Sequence, residues 1–235
     1  MDMRTPAYQL RRSEIETYFD RTAVAAWARL TSTAPVGRIR ASVRAGRNLM
    51  RDQLLQWLPA DMRGLRLLDA GCGTGALAVE AARRGAQVLA IDLSPTLVAL
   101  ARARAASELG SERIDFRAGD MLDPALGRFD HIVAMDSLIH YDAVDVARVL
   151  AAWAQRCELG ISFTFAPRTP LLAALHQVGR LFPRADRSPA IVPLAEQALY
   201  RRLGTALPAW QPEASRRVST GFYTSQAWCW TRVAA

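Results

Sequence analysis

The run Leu67-Leu68-Asp69-Ala70-Gly71-Cys72-Gly73-Thr74-Gly75 carries the clearest chemistry in the chain. An acidic side chain stands two places before a turn whose alternate residues are glycine. Glycine lets the backbone turn sharply and lets a ligand approach it closely. Residues 66–69 read as a short buried strand entering the turn and residues 76–84 as the helix leaving it, a unit shared by every doubly wound fold. The acids narrow the ligand. Asp69 is placed to accept from an amino group on a methionyl moiety, and Asp92, ending a second strand at 87–92, to accept both ribose hydroxyls. Asp120, in Phe116-Arg117-Ala118-Gly119-Asp120-Met121, is placed for the adenine amine, with Met121 packing on the ring. Gly71, Gly73, Gly75, Leu93 and Asp136 complete the expected cofactor contacts. Gly71, Gly73 and Ala76 also satisfy the G-x-G-x-x-A form of the nicotinamide fingerprint, so a dehydrogenase is the rival. A pyrophosphate beside Asp69 would be repelled, whereas a sulfonium cofactor bearing an ammonium group is favoured there. The expected cofactor is therefore S-adenosylmethionine.

The elements that must position these residues follow from patterning. Strands are expected at 66–69, 87–92, 114–118, 129–135 and 160–165, with helices at 76–84, 95–109 and 144–156 between them. That alternation predicts an α/β, Rossmann-like, mostly parallel sheet, which two alternating segments at 217–219 and 227–233, joined by a turn at 221–226, would close as a hairpin into seven strands. Residues 1–60 read as an N-terminal helical cap. Ser13 and Glu16 form a capping-box pattern ahead of Ile15, Tyr18, Phe19 and Thr22, and a second helix is expected at 36–57 with Ile39, Val43, Met50, Leu54 and Trp57 on one face. Residues 61–235 form the catalytic domain, with a proline- and arginine-rich excursion at about 167–212 expected to be an inserted lid over the site.

Composition sets outer limits. A chain of 235 residues, 51% hydrophobic, can bury one good core. All 30 basic residues are arginine and the formal charge is +8, which would ordinarily raise nucleic acid or an anionic membrane as partners. With no lysine and abundant alanine, the charge reads as much as codon bias as a selected surface, and no nucleic-acid motif accompanies it. Cys72, Cys157 and Cys229 lack metal-ligand spacing, so neither a metal site nor a disulfide framework is expected. The polar start and the lack of a long apolar run point to a cytoplasmic protein, either free or peripheral on a membrane.

Beyond the nucleotide-binding core, several segments together resemble the magnesium-protoporphyrin IX O-methyltransferases of chlorophyll and bacteriochlorophyll synthesis, most of all the purple-bacterial branch. They are Tyr18-Phe19-Asp20-Arg21-Thr22 with Trp27 and Arg29, Arg44-Ala45-Gly46-Arg47, Ala134-Met135-Asp136-Ser137-Leu138-Ile139-His140-Tyr141, Leu181-Phe182-Pro183-Arg184 through Arg187-Ser188-Pro189, and Ser219-Thr220-Gly221-Phe222-Tyr223. The resemblance spans nearly the whole chain. It implies methyl transfer to one propionate of magnesium protoporphyrin IX in the photosynthetic pigment pathway, and contact with the porphyrin-binding subunit of magnesium chelatase or with the photosynthetic membrane. Two other readings stay open: a non-catalytic tetrapyrrole carrier on a methyltransferase fold, and a methyltransferase for another small carboxylate.

A propionate is ionised at neutral pH, so its oxygen is already nucleophilic and needs alignment more than a strong base. His140, just after the fourth strand, is the expected catalytic residue, holding the carboxylate or accepting a stray proton; an axial ligand to the porphyrin magnesium is a third role for it. Family members from oxygenic phototrophs carry a tyrosine shortly after the tryptophan and arginine of the first helix. The matching position here is Thr31, and Tyr18 is the substitute candidate. Trp27, Tyr141, Leu175 and Phe182 are expected to pave the porphyrin site. Arg29, Arg38 and Arg47 are candidates for the second propionate, with Arg184 and Arg187 closing over it through bidentate bonds.

Overall fold

The computed structural model describes residues 5–22, 24–32, 34–109, 114–168 and 189–233. Seven strands form one sheet in the order β3-β2-β1-β4-β5-β7-β6. They are β1 (Arg66–Ala70), β2 (Gln87–Asp92), β3 (Ile114–Ala118), β4 (Phe129–Ala134), β5 (Cys157–Phe165), β6 (Trp210–Thr220) and β7 (Tyr223–Arg232). The first five pair in parallel, while β7 runs antiparallel to both β5 and β6. This is the seven-stranded, mostly parallel class I methyltransferase sheet.

Side chains alternate across the sheet and bury on both faces, as a parallel sheet requires. Leu68, Leu89 and Ile132 point to one core with Trp153 and Leu150 of α6 (Ala143–Ala154) and Leu199 and Leu203 of α7 (Glu196–Ala206). Leu67, Val88 and Val133 point to the other. There they meet α3 (Arg38–Gln56), α4 (Ala76–Arg83) and α5 (Pro95–Leu109) through Met50, Leu54, Ala78 and Val98.

The N-terminal cap consists of α1 (Pro6–Thr17), one π-helical turn (Tyr18–Thr22), α2 (Val24–Leu30) and then α3. The first helix starts earlier than the capping-box pattern predicts. Thr5, in extended conformation, accepts from the Tyr8 N–H at 3.1 Å, and Pro6 occupies the first helical position, where its missing N–H costs nothing; Ser13 and Glu16 therefore lie inside the helix. On α3 the expected face is buried at Met50 and Leu54, with Val43 and Trp57 packed against the same core, and only Ile39, 57% exposed, departs from it. Gly46 and Leu55 also face inward.

Two further expectations change. The C-terminal strands are longer than predicted, because Gly221, at φ +53°, reverses the chain with Phe222 alone and leaves 223–226 in β7. The excursion expected at 167–212 includes α7, whose Leu199 and Leu203 are fully buried, and the start of β6. Those parts are core rather than lid. Residues 169–188, with Leu175, Phe182, Arg184 and Arg187, lie outside the described residues. On either side of them the chain is pinned: Leu194 N–H donates to Ala166 O and Val192 N–H to Ile139 O, both at 2.8 Å.

Candidate active site

β1 lies between β2 and β4, and the crossover from one to the other leaves a crevice at the carboxyl ends of the strands, where ligands of such sheets bind. A cavity of about 260 Å³ opens there. Its floor is the glycine turn. Gly71 has φ +85°, and a Cβ on it would stand 2.3 Å from that of Ser137. Gly73, at φ +54°, faces the cavity, where the nearest obstacle to a Cβ is the Trp27 Nε1 at 3.2 Å. Gly75 departs from expectation: it caps α4 and turns toward Phe116 and Ala101, outside the cavity lining.

Two carboxylates frame the turn. Asp69 is 2% exposed, and its Oδ2 has no partner among the described residues. Burial, reinforced by the charge of Asp92, pushes its pKa up to about 7, against a small lowering by the Ala78 N–H. Asp92 accepts from Gly73 N–H at 2.8 Å and Ser94 N–H at 3.0 Å. Burial raises its pKa too, while these N–H donors and that of Leu93 pull it back. A buried, unsatisfied carboxylate oxygen is costly unless something donates to it. A cation with N–H groups relieves that cost, and a pyrophosphate would deepen it, so the residues fit a sulfonium cofactor and disfavour the dinucleotide alternative.

Leu93 and Met121 line the same cavity. Asp120 does not. Its Oδ1 accepts from the Tyr8 hydroxyl and the Leu122 N–H, each at 2.9 Å, so Tyr8 of α1 presents the wall in its place. Its Oδ2 is buried without a hydrogen bond and lies 4.0 Å from the Arg12 Nε, an ion pair beside that wall. Asp136 lines the cavity, yet its carboxylate is taken by the chain itself: Arg47, Tyr223, Thr164 and Ser225 all donate to it.

His140 sits on a short 3-10 turn (Leu138–His140) after β4, is 4% exposed, and lines the cavity. Its Nδ1 lies 3.3 Å from Ala190 O, a contact that is a hydrogen bond when Nδ1 carries the proton and that leaves the Nε2 lone pair available. Burial and the charge of Arg11 lower its pKa, so the ring is neutral at pH 7. Tyr141 lines the wall beside it, stacked on Tyr8 at 5.2 Å. Trp27 and Thr31 of the N-terminal cap also reach the cavity. The Thr31 hydroxyl is already engaged, donating to Trp27 O at 2.8 Å and accepting from Arg104 at 3.1 Å. Tyr18 packs edge-on against Phe19 and is not among the lining residues. Arg29 is exposed at the end of α2 and donates to Pro35 O, away from the cavity.

Sequence reasoning missed the walls contributed by Tyr8 and Phe19. Arg47, a candidate for the second propionate, does line the cavity, and what was missed is that Arg44 and Arg51 share its face of α3 and line the cavity with it. Their spacing of three and four residues was a helical signal, obscured by the abundance of arginine.

Known proteins resemble this chain along most of its length. Residues 134–232 match the family described as magnesium-protoporphyrin IX methyltransferase C-terminus, and residues 67–160 match a general methyltransferase domain. A magnesium-protoporphyrin O-methyltransferase of Rhodobacter capsulatus is 49% identical over 92% of this chain and 94% of that protein. The chloroplastic magnesium protoporphyrin IX methyltransferase of Arabidopsis thaliana is 31% identical over 90% of this chain and 68% of its own length. Among solved structures, the magnesium protoporphyrin IX methyltransferase of Synechocystis PCC 6803 with bound SAH superimposes with a TM-score of 0.83 at 27% identity, covering 94% of this chain and 99% of that one. The strand order, the cavity at the switch between β2 and β4 and these similarities agree: the chain belongs to the magnesium-protoporphyrin O-methyltransferase family.

Proposed function

We propose that this chain transfers the methyl group of S-adenosylmethionine to a propionate carboxylate of magnesium protoporphyrin IX, giving the monomethyl ester and S-adenosylhomocysteine. The observation that carries this reading is one cavity joining the glycine turn and the unpartnered oxygen of Asp69 to the neutral imidazole of His140. When bound, S-adenosylmethionine supplies an electrophilic methyl on a sulfonium.

The chain's own residues supply the rest. Asp69 takes the ammonium group, Asp92 the ribose hydroxyls, and Met121 with Leu93 the apolar faces of the base. The propionate arrives ionised, so no residue has to remove a proton from it. His140 aligns that carboxylate by donating from Nε2 in the tautomer that protonates this nitrogen; in the tautomer whose Nδ1–H is turned to Ala190 O, the Nε2 lone pair takes the proton of the minor protonated form. Trp27, Phe19, Ile139 and Tyr141 line the cavity with apolar surface, which excludes water from the attacking oxygen. Alignment of this kind is worth about 7 to 11 kcal/mol of a barrier. Thr31 acts as a brace for α2 through Arg104 rather than as a proton donor.

Transfer of labelled methyl from S-adenosylmethionine to magnesium protoporphyrin tests the reading. Porphyrin binding without turnover would favour a carrier, and turnover only with smaller carboxylic acids would reassign the substrate. Among the described residues no helix is long and apolar enough to cross a membrane. A peripheral membrane contact is supported by Ile39 and Phe222, 57% and 58% exposed, with Arg38 and Arg40 alongside Ile39. Flotation with anionic vesicles tests that contact, and co-purification with the porphyrin-binding chelatase subunit tests the hand-over.

A further inference from the structure

The C-terminal hairpin reaches the cavity through a chain of polar contacts that the reading above does not use. Its turn is seated on α3 at Gly46, where a Cβ would stand 2.3 Å from the Thr220 Oγ1 and 2.5 Å from the Tyr223 Cδ1. From that seat the Tyr223 hydroxyl donates to Asp136, 3.1 and 3.2 Å from its two carboxylate oxygens. Asp136 is the one non-glycine residue with positive φ among the described residues, at +55°. Such a conformation is strained for a residue with a side chain and persists where surrounding contacts over-determine it. Here they do: the Asp136 N–H donates to the Thr164 Oγ1 at 2.7 Å, the Thr164 hydroxyl returns a bond to Oδ1, and Ser225 adds another.

All of this holds one oxygen toward Arg47. Its Nη1 donates to the Asp136 Oδ2 at 2.5 Å, and its guanidinium lies 4.5 Å above the Trp27 ring, which also borders the space over Gly73. The Arg47 Nε and Nη2 have no partner among the described residues, although the side chain lines the cavity and is only 18% exposed. A guanidinium pinned at one nitrogen and stacked on one face keeps a planar fork of donors in a fixed plane, the geometry that matches a carboxylate. Because Arg47 is already paired with a buried charge, it offers direction more than net positive potential.

We propose that Tyr223 and Asp136 are positioning residues that hold Arg47 as a carboxylate receptor in the active-site cavity. The inference rests on the proposed function only in that both ligands carry a carboxylate: the amino-acid end of the cofactor and a propionate of the porphyrin. The ligand is the class, and the source is separable by experiment.

Binding of S-adenosylhomocysteine and of magnesium protoporphyrin is measured for the wild type, Arg47→Lys, Arg47→Met and Tyr223→Phe. The carboxylate-free counterparts 5′-methylthioadenosine and magnesium protoporphyrin dimethyl ester are measured in parallel. Losing a charge-assisted fork should weaken one carboxylate ligand about tenfold or more in both Arg47 variants, while its carboxylate-free counterpart binds as before. Loss confined to S-adenosylhomocysteine assigns the receptor to the cofactor; loss confined to the porphyrin acid assigns it to a propionate. Tyr223→Phe keeps the ring on Gly46 and should weaken the same ligand by a smaller factor, roughly threefold, without changing the carboxylate-free control. If both acids bind Arg47→Lys and Arg47→Met as they bind wild type, or if acid and control weaken equally, the receptor is refuted. An unchanged constant in Tyr223→Phe removes Tyr223 from the positioning role. A wild type that binds both acids without methyl transfer would sink the proposed function instead, since these are binding measurements.

Discussion

The raised pKa of Asp69 makes a quantitative statement about cofactor binding. Its carboxyl is 2% exposed, carries one unpartnered oxygen, and titrates near 7 because of burial first and the neighbouring Asp92 second. If the ammonium group of the cofactor requires the ionised form, the fraction of competent protein is roughly 9% at pH 6, half at pH 7 and 91% at pH 8. Affinity for S-adenosylhomocysteine should then rise about tenfold from pH 6 to pH 8 and level off, with about half a proton released per ligand bound at pH 7.

Calorimetry in two buffers of different ionisation enthalpy reads both quantities. Melting temperature is the poorer probe, because two groups oppose each other. Asp69, raised from 3.8 to about 7, contributes stability that is lost as pH rises through that window. His140, lowered from 6.5, contributes stability that is lost as pH falls below its unfolded value. Asp69→Asn should flatten the pH profile at a lower affinity while stabilising the ligand-free protein, since a buried charge that repels Asp92 is gone. A flat wild-type profile between pH 6 and 8, or a slope that survives in Asp69→Asn, would refute the argument.

Asp92→Ala leaves the N–H groups of Gly73 and Ser94 without their acceptor and removes the proposed ribose contact, so S-adenosylhomocysteine binding should weaken by about 1 to 3 kcal/mol. Unchanged calorimetric affinity in a folded variant would take Asp92 out of the site. Gly73→Val puts a β-branched side chain at φ +54° with its Cβ 3.2 Å from the Trp27 Nε1. Cofactor binding should vanish while circular dichroism keeps the wild-type spectrum, and normal binding would show that the turn does not approach the ligand. His140→Ala should lower kcat roughly 100-fold or more with cofactor affinity preserved. Wild-type turnover in that variant would end its catalytic assignment, whereas weaker porphyrin binding with an altered visible spectrum would point to axial ligation.

What was legible in the sequence, and what was not, divides along a physical line. The glycine turn, Asp69 and Asp92 were readable because each lies within a few residues of a strand end, and a strand end in a parallel sheet has one place to go. Strand and helix spans from 66 to 165 followed for the same reason, since apolar alternation and local turns set them. The side chains misplaced at the site depend on packing between elements far apart in sequence. Asp120 has the right position at the end of β3, yet whether it faces ligand depends on Tyr8, which lies 112 residues away in sequence and donates to it. Arg29 and Arg47 look equivalent as letters. One lies at the exposed end of α2, and the other follows Gly46, whose missing side chain lets the hairpin close on α3 and deliver Tyr223 to Asp136. Thr31 stands where a family tyrosine was expected, but its hydroxyl is engaged by Arg104 on α5, so the substitution reads as a brace in place of a reactive group. In this chain, then, the groups proposed to meet the cofactor are encoded locally. The groups that frame the carboxylate chemistry are encoded in packing between the cap, β4 and the C-terminal hairpin, and there the Arg47 and Tyr223 variants carry the most information.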